Sequence, residues 1–364
     1  MLVSRGHEWV GLVGRYNGTK PESKQILGIK NKKWWVVSIS KDYISKNFTN
    51  IKKYKNPNVA GKDLVDEIKK IIDKEQPDVV FINGSSAFAW AYLKAAYSAG
   101  IPIIALHAGM WGAEIDIYSD LFTSSGIKVL KKMEKDFAVI PNCNVFLNET
   151  SRDYFTKYIH NIPAGKTQII PLPCESSSIN IKPKLKTNKV TNIGIVARWD
   201  RIKNHGAFLN IAKTAVKHQK KWNFFAVTKI PETNSNKEFK ENYRKLIKEV
   251  TPMEQSELRK FYRKMDFMIL PSFFDVSPHV VLEAALEGVP TFISKNVGYA
   301  KLFKTNGMKD FIINFSDPVK AFKKIEAMES KKYRLSFTKL LKKTHDPETV
   351  LNKFEILFKK TIKQ

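Results

Sequence analysis

The chain has 364 residues, too many for one ordinary core and a comfortable length for two domains of about 150 to 200 residues each. Apolar residues make up 43% of it and are spread along its length, which excludes wholesale disorder. The formal charge of +27 suits a polyanionic partner, a membrane surface or nucleic acid. It also suits plain codon bias, since 53 lysines stand against nine arginines and the excess lies in both halves. No run of about 18 uncharged apolar residues occurs and no secretory signal order opens the chain, so a cytoplasmic protein is expected. Cys143 and Cys174 are the only cysteines, without metal-ligand spacing or a disulfide framework, and no metal site is expected.

In chain order, Leu2 to Val13 reads as a helix end, a glycine turn and a strand; the strand and Gly-rich loop that usually open a nucleotide-binding domain are not seen. Trp34 to Ser40 predicts a strand. Gly61 to Glu75 carries Leu64, Val65, Ile68, Ile71 and Ile72 at the spacing of an amphipathic helix. Asp78 to Asn83 and Pro102 to Leu106 are buried-strand runs. Between them lies an apolar helix ending at Ser98, capped by Ser85 or Ser86. Asn144 to Leu147, a helix from about Ser151 to Tyr158, and Gln168 to Pro171 continue the alternation, which predicts a parallel sheet covered on both faces.

The segment ESSSINIKPKLKTNK has no apolar period and predicts a linker, set at 176–189 between a first domain over 1–175 and a second over 190–345. The second domain opens with a strand from Asn192 to Ala197, a helix from about Asn204 to His218, and a strand from Trp222 to Thr228. A helix from Gln255 to Lys264 precedes a strand from Phe267 to Leu270, and Pro290 to Ser294 is a further strand. The tail, 346–364, predicts an amphipathic helix from Pro347 to Ile362 with Val350, Leu351, Phe354, Leu357 and Phe358 on one face.

The chemistry concentrates in Ile269 to Pro290, ILPSFFDVSPHVVLEAALEGVP. Ser277 as N-cap, Pro278 at the first helical position and the Gly288/Pro290 stop predict a helix of about ten residues that directly follows a strand. Its free N–H groups near His279 and Val280 form an anion site at the carboxyl edge of a parallel sheet, where a diphosphate fits. Glu283 lies among apolar neighbours, so it needs a hydrogen-bonding partner. Ribose hydroxyls would serve; solvent or a lysine is the plainer alternative. Asp275 can accept hydroxyls of a sugar or act as a turn residue. Arg198 and Lys203 follow the Asn192 strand and would project toward the same crevice, offering two cations to a diphosphate.

These blocks, from PDVVFING and PIIALHAG through VARWDRIKNHGAFL to LPSFFDVSPHVVLEAALEGVP, together resemble the family 4 glycosyltransferases of GT-B fold. The last block is similar to the family's acidic-x7-Glu motif, with Asp275 where Glu is usual. The resemblance implies an α/β protein of two Rossmann-like domains facing across a cleft, the last helix crossing back to the first. It implies a retaining, metal-independent hexosyl transfer. Glu283 would bind ribose, Asp275 the donor sugar, Arg198 and Lys203 the diphosphate, with Ser277, His279 and Val280 completing the donor site. His107 falls where the family often places a histidine facing the reacting sugar, an ordinary strand-end histidine being the alternative. The expected co-substrate is a UDP- or GDP-sugar, with no tightly bound cofactor. The expected acceptor is a cell-envelope or lipid-linked glycan, reached by peripheral contact with the inner face of an anionic membrane. A polyanionic acceptor such as modified DNA is the lesser alternative, as are a GT-B epimerase or phosphorylase and a degenerate, non-catalytic binding protein.

Overall fold

In the computed structural model, residues 5–15, 21–27, 33–44, 61–174, 190–233 and 235–363 are described. The predicted linker and residues 1–4 of the opening segment lie outside them. The chain divides into two compact units: residues 1–147, 152–170 and 348–364 form one, and residues 148–151 and 171–347 the other.

The first unit begins with strands β1 (Val10–Arg15), β2 (Glu22–Leu27) and β3 (Lys33–Ser38), followed by a single turn, α1 (Lys41–Ile44). These strands form their own sheet in the order β1-β3-β2, with β1 parallel and β2 antiparallel to β3. The single covered parallel sheet expected for this half is therefore divided. Helix α2 (Lys62–Glu75) buries Leu64, Ile68, Ile71 and Ile72 of the predicted stripe, with Val65 partly buried. Strand β4 (Val80–Asn83), helix α3 (Ala87–Ser98), strand β5 (Ile103–His107) and the short helix α4 (Trp111–Glu114) follow. Ser86 caps α3 by accepting the Ala89 N–H at 3.2 Å. Helix α5 (Ser124–Val139), strand β6 (Cys143–Phe146), helix α6 (Glu149–Tyr158) and strand β7 (Thr167–Ile169) complete the series. Strands β4-β5-β6-β7 form a parallel sheet in simple sequence order. Trp35, Val37, Ile82, Leu93, Ile103 and Phe137 share one core in this unit.

The second unit contains strand β8 (Thr191–Val196), helix α7 (His205–Lys217), strand β9 (Trp222–Val227), helix α8 (Lys237–Leu246) and strand β10 (Ile247–Val250). It continues through helix α9 (Gln255–Lys264), strand β11 (Phe267–Leu270), helix α10 (His279–Leu286) and strand β12 (Thr291–Ile293). Helices α11 (Ala300–Thr305), α12 (Pro318–Glu326) and α13 (Ser330–Thr344) close it. Its sheet is wholly parallel, in the order β10-β9-β8-β11-β12. Ile193, Ile195, Ile269, Phe292 and Phe208 are buried at its centre, as near-continuous apolar strands between two helical layers require. The chain leaves β8 to one side for β9 and β10, then returns to its other side for β11. That reversal is a topological switch point, and the loops after β8 and β11 leave the same sheet edge there.

The last helix, α14 (Pro347–Ile362), belongs from Glu348 onward to the first unit. Its Phe354 and Phe358 pack edge-on against Phe81 of β4, with ring centroids 5.7 and 5.9 Å apart. Arg5 joins it through Glu348 and Glu355, and hydrogen-bonds Asn352 at 2.7 Å.

Candidate active site

The loop after β8 runs from Ala197 to Asn204 through a tight turn at Arg201–Lys203. Asp200 caps that turn by accepting the Ile202 N–H at 3.2 Å. Asn204 takes a left-handed φ of 53°, and its side chain accepts the Ala207 N–H to start α7. His205 fixes the loop from beneath. Its Nε2–H donates to the Arg198 carbonyl at 3.0 Å, so its Nδ1 accepts from the Tyr243 hydroxyl at 3.0 Å, while Trp199 stacks on the ring. Burial lowers the pKa of His205, in keeping with this neutral tautomer.

The loop after β11, Pro271 to Pro278, is tied to the first. Phe273 N–H donates to the Ile202 carbonyl at 2.9 Å, and the Asn204 amide donates to the Pro271 carbonyl at 3.2 Å. Farther along, Gly298 N–H donates to the Asp275 carbonyl at 2.8 Å. A β-carbon on Gly298 would lie 1.9 Å from the Val276 carbonyl oxygen, so only glycine permits this approach. The same carbonyl accepts from the Asn148 amide at 2.6 Å and from the Ser151 hydroxyl at 3.1 Å.

The two tied loops bring Lys203 and Asp275 together, 72 residues apart in sequence, with Nζ 2.5 Å from Oδ2. Their side chains keep 17% and 14% exposure, so the pair is shielded but reachable. Beside it α10 begins. Pro278 is the cap residue, with an extended ψ of 111° and no side-chain cap bond, so the helix spans His279–Leu286. The predicted start is thus one residue early: Pro278 itself is extended and takes the cap position, which leaves Ser277 in the loop. Its side chain hydrogen-bonds the buried Tyr299 hydroxyl, whose pKa burial pushes up. The first-turn amides of α10, at His279 and Val280, have no intrahelical acceptor. Glu283, one turn on, is half-buried and accepts the Tyr262 hydroxyl at 2.8 Å on Oε2. One of its oxygens is thus held by a tyrosine rather than by a lysine.

Two predicted residues stand apart from this cluster. The Arg198 side chain is 80% exposed and, among the described residues, pairs with Asp200 at 3.6 Å rather than joining the shielded Lys203–Asp275 pair. His107, in the first unit, is 3% exposed. Its Nε2–H donates to Asn144 Oδ1 at 2.7 Å, and its ring stacks on Phe146 at 4.5 Å and tilts against Phe155 at 4.7 Å. Burial lowers its pKa to about 4. This is a neutral histidine engaged in the packing of its own unit, as the alternative of an ordinary strand-end histidine would have it. Sequence reasoning passed over Tyr262, His205, Gly298 and Asn148. The aromatic-rich FYRKMDF run was the one available signal for Tyr262. Among the described residues, no group of three or more His, Cys, Asp and Glu side chains is placed to hold a metal ion.

A cation, a carboxylate and helix-start amides without a partner among the described residues thus lie together at the switch point of a doubly wound parallel sheet, the place where such folds bind ligands. Residues 190–330 match the model of the family described as Glycosyl transferases group 1. The fold matches an α,α-trehalose-phosphate synthase (UDP-forming) from Burkholderia vietnamiensis with a TM-score of 0.71 at 13% identity, covering 99% of this chain and 96% of that one. An E. coli structure described as trehalose-6-phosphate bound with UDP-2-fluoro glucose matches with a TM-score of 0.66 at 14% identity, covering 98% and 94%. A sucrose-phosphate synthase from Thermosynechococcus elongatus matches with a TM-score of 0.68 at 12% identity, covering 99% and 90%. No curated protein matches the chain in sequence. The whole chain therefore has the GT-B fold of the structures that it matches, and its residues 190–330 are similar to the Glycosyl transferases group 1 family.

Proposed function

We propose that the protein moves a sugar from a nucleoside-diphosphate sugar to a hydroxyl acceptor with retention and without a metal ion. The observation that carries this reading is the shielded Lys203–Asp275 pair beside the free amides of α10, with Glu283 one turn along. Lys203 turns from Asp275 toward the diphosphate as negative charge grows on it, Arg198 swings in from solvent, and the His279 and Val280 amides add fixed dipoles. Asp275, released, accepts hydroxyls of the transferred sugar, and Glu283 holds the ribose. The acceptor oxygen bonds to the anomeric carbon as the bond from that carbon to the diphosphate breaks. A leaving phosphate oxygen takes the acceptor proton, so no protein base is required.

UDP-sugar is the favoured donor, supported by the UDP-dependent names of the structural relatives. The excess of lysine supports an acceptor at an anionic surface, a cell-envelope or lipid-linked glycan, and peripheral work at the cytoplasmic face of a membrane. Among the described residues no helix is long and apolar enough to cross one. The test is release of UDP or GDP from a panel of sugar nucleotides, with the anomeric configuration of the product read by NMR. Release that is unaffected by EDTA, with a retained anomer, supports the proposal. No release from any donor, or dependence on a divalent ion, overturns it.

A further inference from the structure

Helix α10 is held in place by contacts that do not involve Glu283. Arg263 Nε donates to Glu287 Oε2 at 2.6 Å from α9, the Thr338 hydroxyl donates to the Ala285 carbonyl at 2.6 Å from α13, and Arg334 donates to the Gly288 carbonyl at 3.1 Å. With the helix fixed, the Tyr262 hydroxyl has one remaining task. It is a fully buried phenol aimed at a single carboxylate oxygen, 2.8 Å away. Among the described residues Glu283 Oε1 has no hydrogen-bond partner, although the side chain is half-buried. A glutamate has three rotatable bonds, and leaving them free would charge the ordering entropy to each binding event.

We infer that Tyr262 is a positioning residue: its hydroxyl occupies Glu283 Oε2 and sets the rotamer that turns Oε1 toward a vicinal diol, the 2′- and 3′-hydroxyls of a ribose. The inference rests on the donor-site reading above, in which Glu283 holds the ribose, and adds the residue that sets its carboxylate. Burial raises the Tyr262 pKa far above its ordinary value, so the phenol keeps its proton and donates at every physiological pH. Tyr262 touches no substrate and acts only through Glu283.

The experiment measures dissociation constants of UDP, GDP and ADP, and then of the 2′,3′-dideoxy form of whichever binds, to the full chain and to Tyr262→Phe, Glu283→Ala and the double variant. The wild type should prefer the ribonucleotide. Tyr262→Phe should weaken ribonucleotide binding about tenfold, the worth of a charge-assisted hydrogen bond, and leave dideoxynucleotide binding unchanged. In the Glu283→Ala background Tyr262→Phe should change neither constant. An unchanged preference in Tyr262→Phe, or equal losses with and without Glu283, overturns the positioning role while leaving the donor site standing. Absence of binding by the wild type to all three nucleotides overturns the donor site and this inference together. Should Tyr262→Phe fail to fold, Tyr262→Met, which also removes the hydroxyl, is read by the same preference: its retention counts against the inference, and a loss that vanishes in the Glu283→Ala background supports it.

Discussion

Replacing Lys203 by methionine keeps the aliphatic stem and removes the charge, and it should have two separable effects. In the resting protein it leaves Asp275 mostly shielded with no cation at 2.5 Å. The loss of one partner from a shielded pair costs about 3 kcal/mol, between the value for a charged hydrogen bond and that for a buried ion pair. The unfolding transition of the second unit should fall by roughly 5–10 °C. Adding Asp275→Asn removes the orphaned charge and should restore most of that loss, because a neutral amide tolerates the site. Turnover behaves differently. Lys203 faces the leaving diphosphate in this account, so Lys203→Met should lower kcat/KM by about 10²–10³, and the second substitution should not recover it. Calorimetry and a nucleotide-release assay on the two variants read the two effects. Wild-type melting of Lys203→Met would refute the pairing argument, and wild-type turnover would refute its role at the diphosphate.

Gly298→Ala should displace the Val276 carbonyl, because a β-carbon 1.9 Å from a backbone oxygen cannot be accommodated by a rotamer change. A loss of about 1–3 kcal/mol in stability, together with weakened nucleotide binding, is expected, and isothermal titration beside a melting curve checks it. Glu134 is 1% exposed, accepts the Gly112 N–H at 2.7 Å, and leaves Oε1 buried without a partner among the described residues. Burial raises its pKa to about 7. Its folded pKa exceeds the unfolded value, so the unfolded state sheds this proton first and stability falls as pH rises from about 4.5 through 7. Glu134→Gln should therefore stabilise the protein by about 2–3 kcal/mol at pH 8 and do little at pH 4, as denaturant titrations at the two values would show. His107 has the opposite sign: its folded pKa lies near 4, so the unfolded state takes up the proton first and stability is lost as pH falls from 6.5 toward 4. His107→Gln should flatten that acid limb by about 2–3 kcal/mol and leave donor hydrolysis close to wild type.

Much of the second unit, and the last helix that joins the first, were legible in their residues. Strand Phe267–Leu270 and helices Gln255–Lys264 and Pro347–Ile362 have the bounds that their apolar periods indicate. Continuous apolar runs have only one way to be covered in a parallel sheet, and well-spaced amphipathic stripes name their own face. Strand β2, ESKQIL, was missed because it is mostly polar and pairs antiparallel with β3. Helix α5 was missed although Val129, Leu130, Met133 and Phe137 keep a buried stripe, with lysines 128, 131, 132 and 135 at the positions between them. At the site, each of Lys203, Asp275 and Glu283 was marked by its place after a strand or in a helix. Their partners were not: Asp275 meets Lys203 across 72 residues and Tyr262 meets Glu283 across 21, and such pairings depend on strand order. Arg198 shows the limit of projecting a side chain from its position alone, since the loop that places Lys203 inward sends Arg198 to solvent.

The central claim is that the carboxyl edge of the second unit's sheet holds a sugar nucleotide. Its most direct measurement is the melting temperature of the full chain and of Glu283→Ala with UDP-, GDP- and ADP-sugars, since a ligand bound only by the folded state raises it. The account predicts a concentration-dependent rise with one nucleotide class, UDP first, abolished in Glu283→Ala. No rise with any donor in a well-folded sample, or an equal rise in the variant, would contradict it.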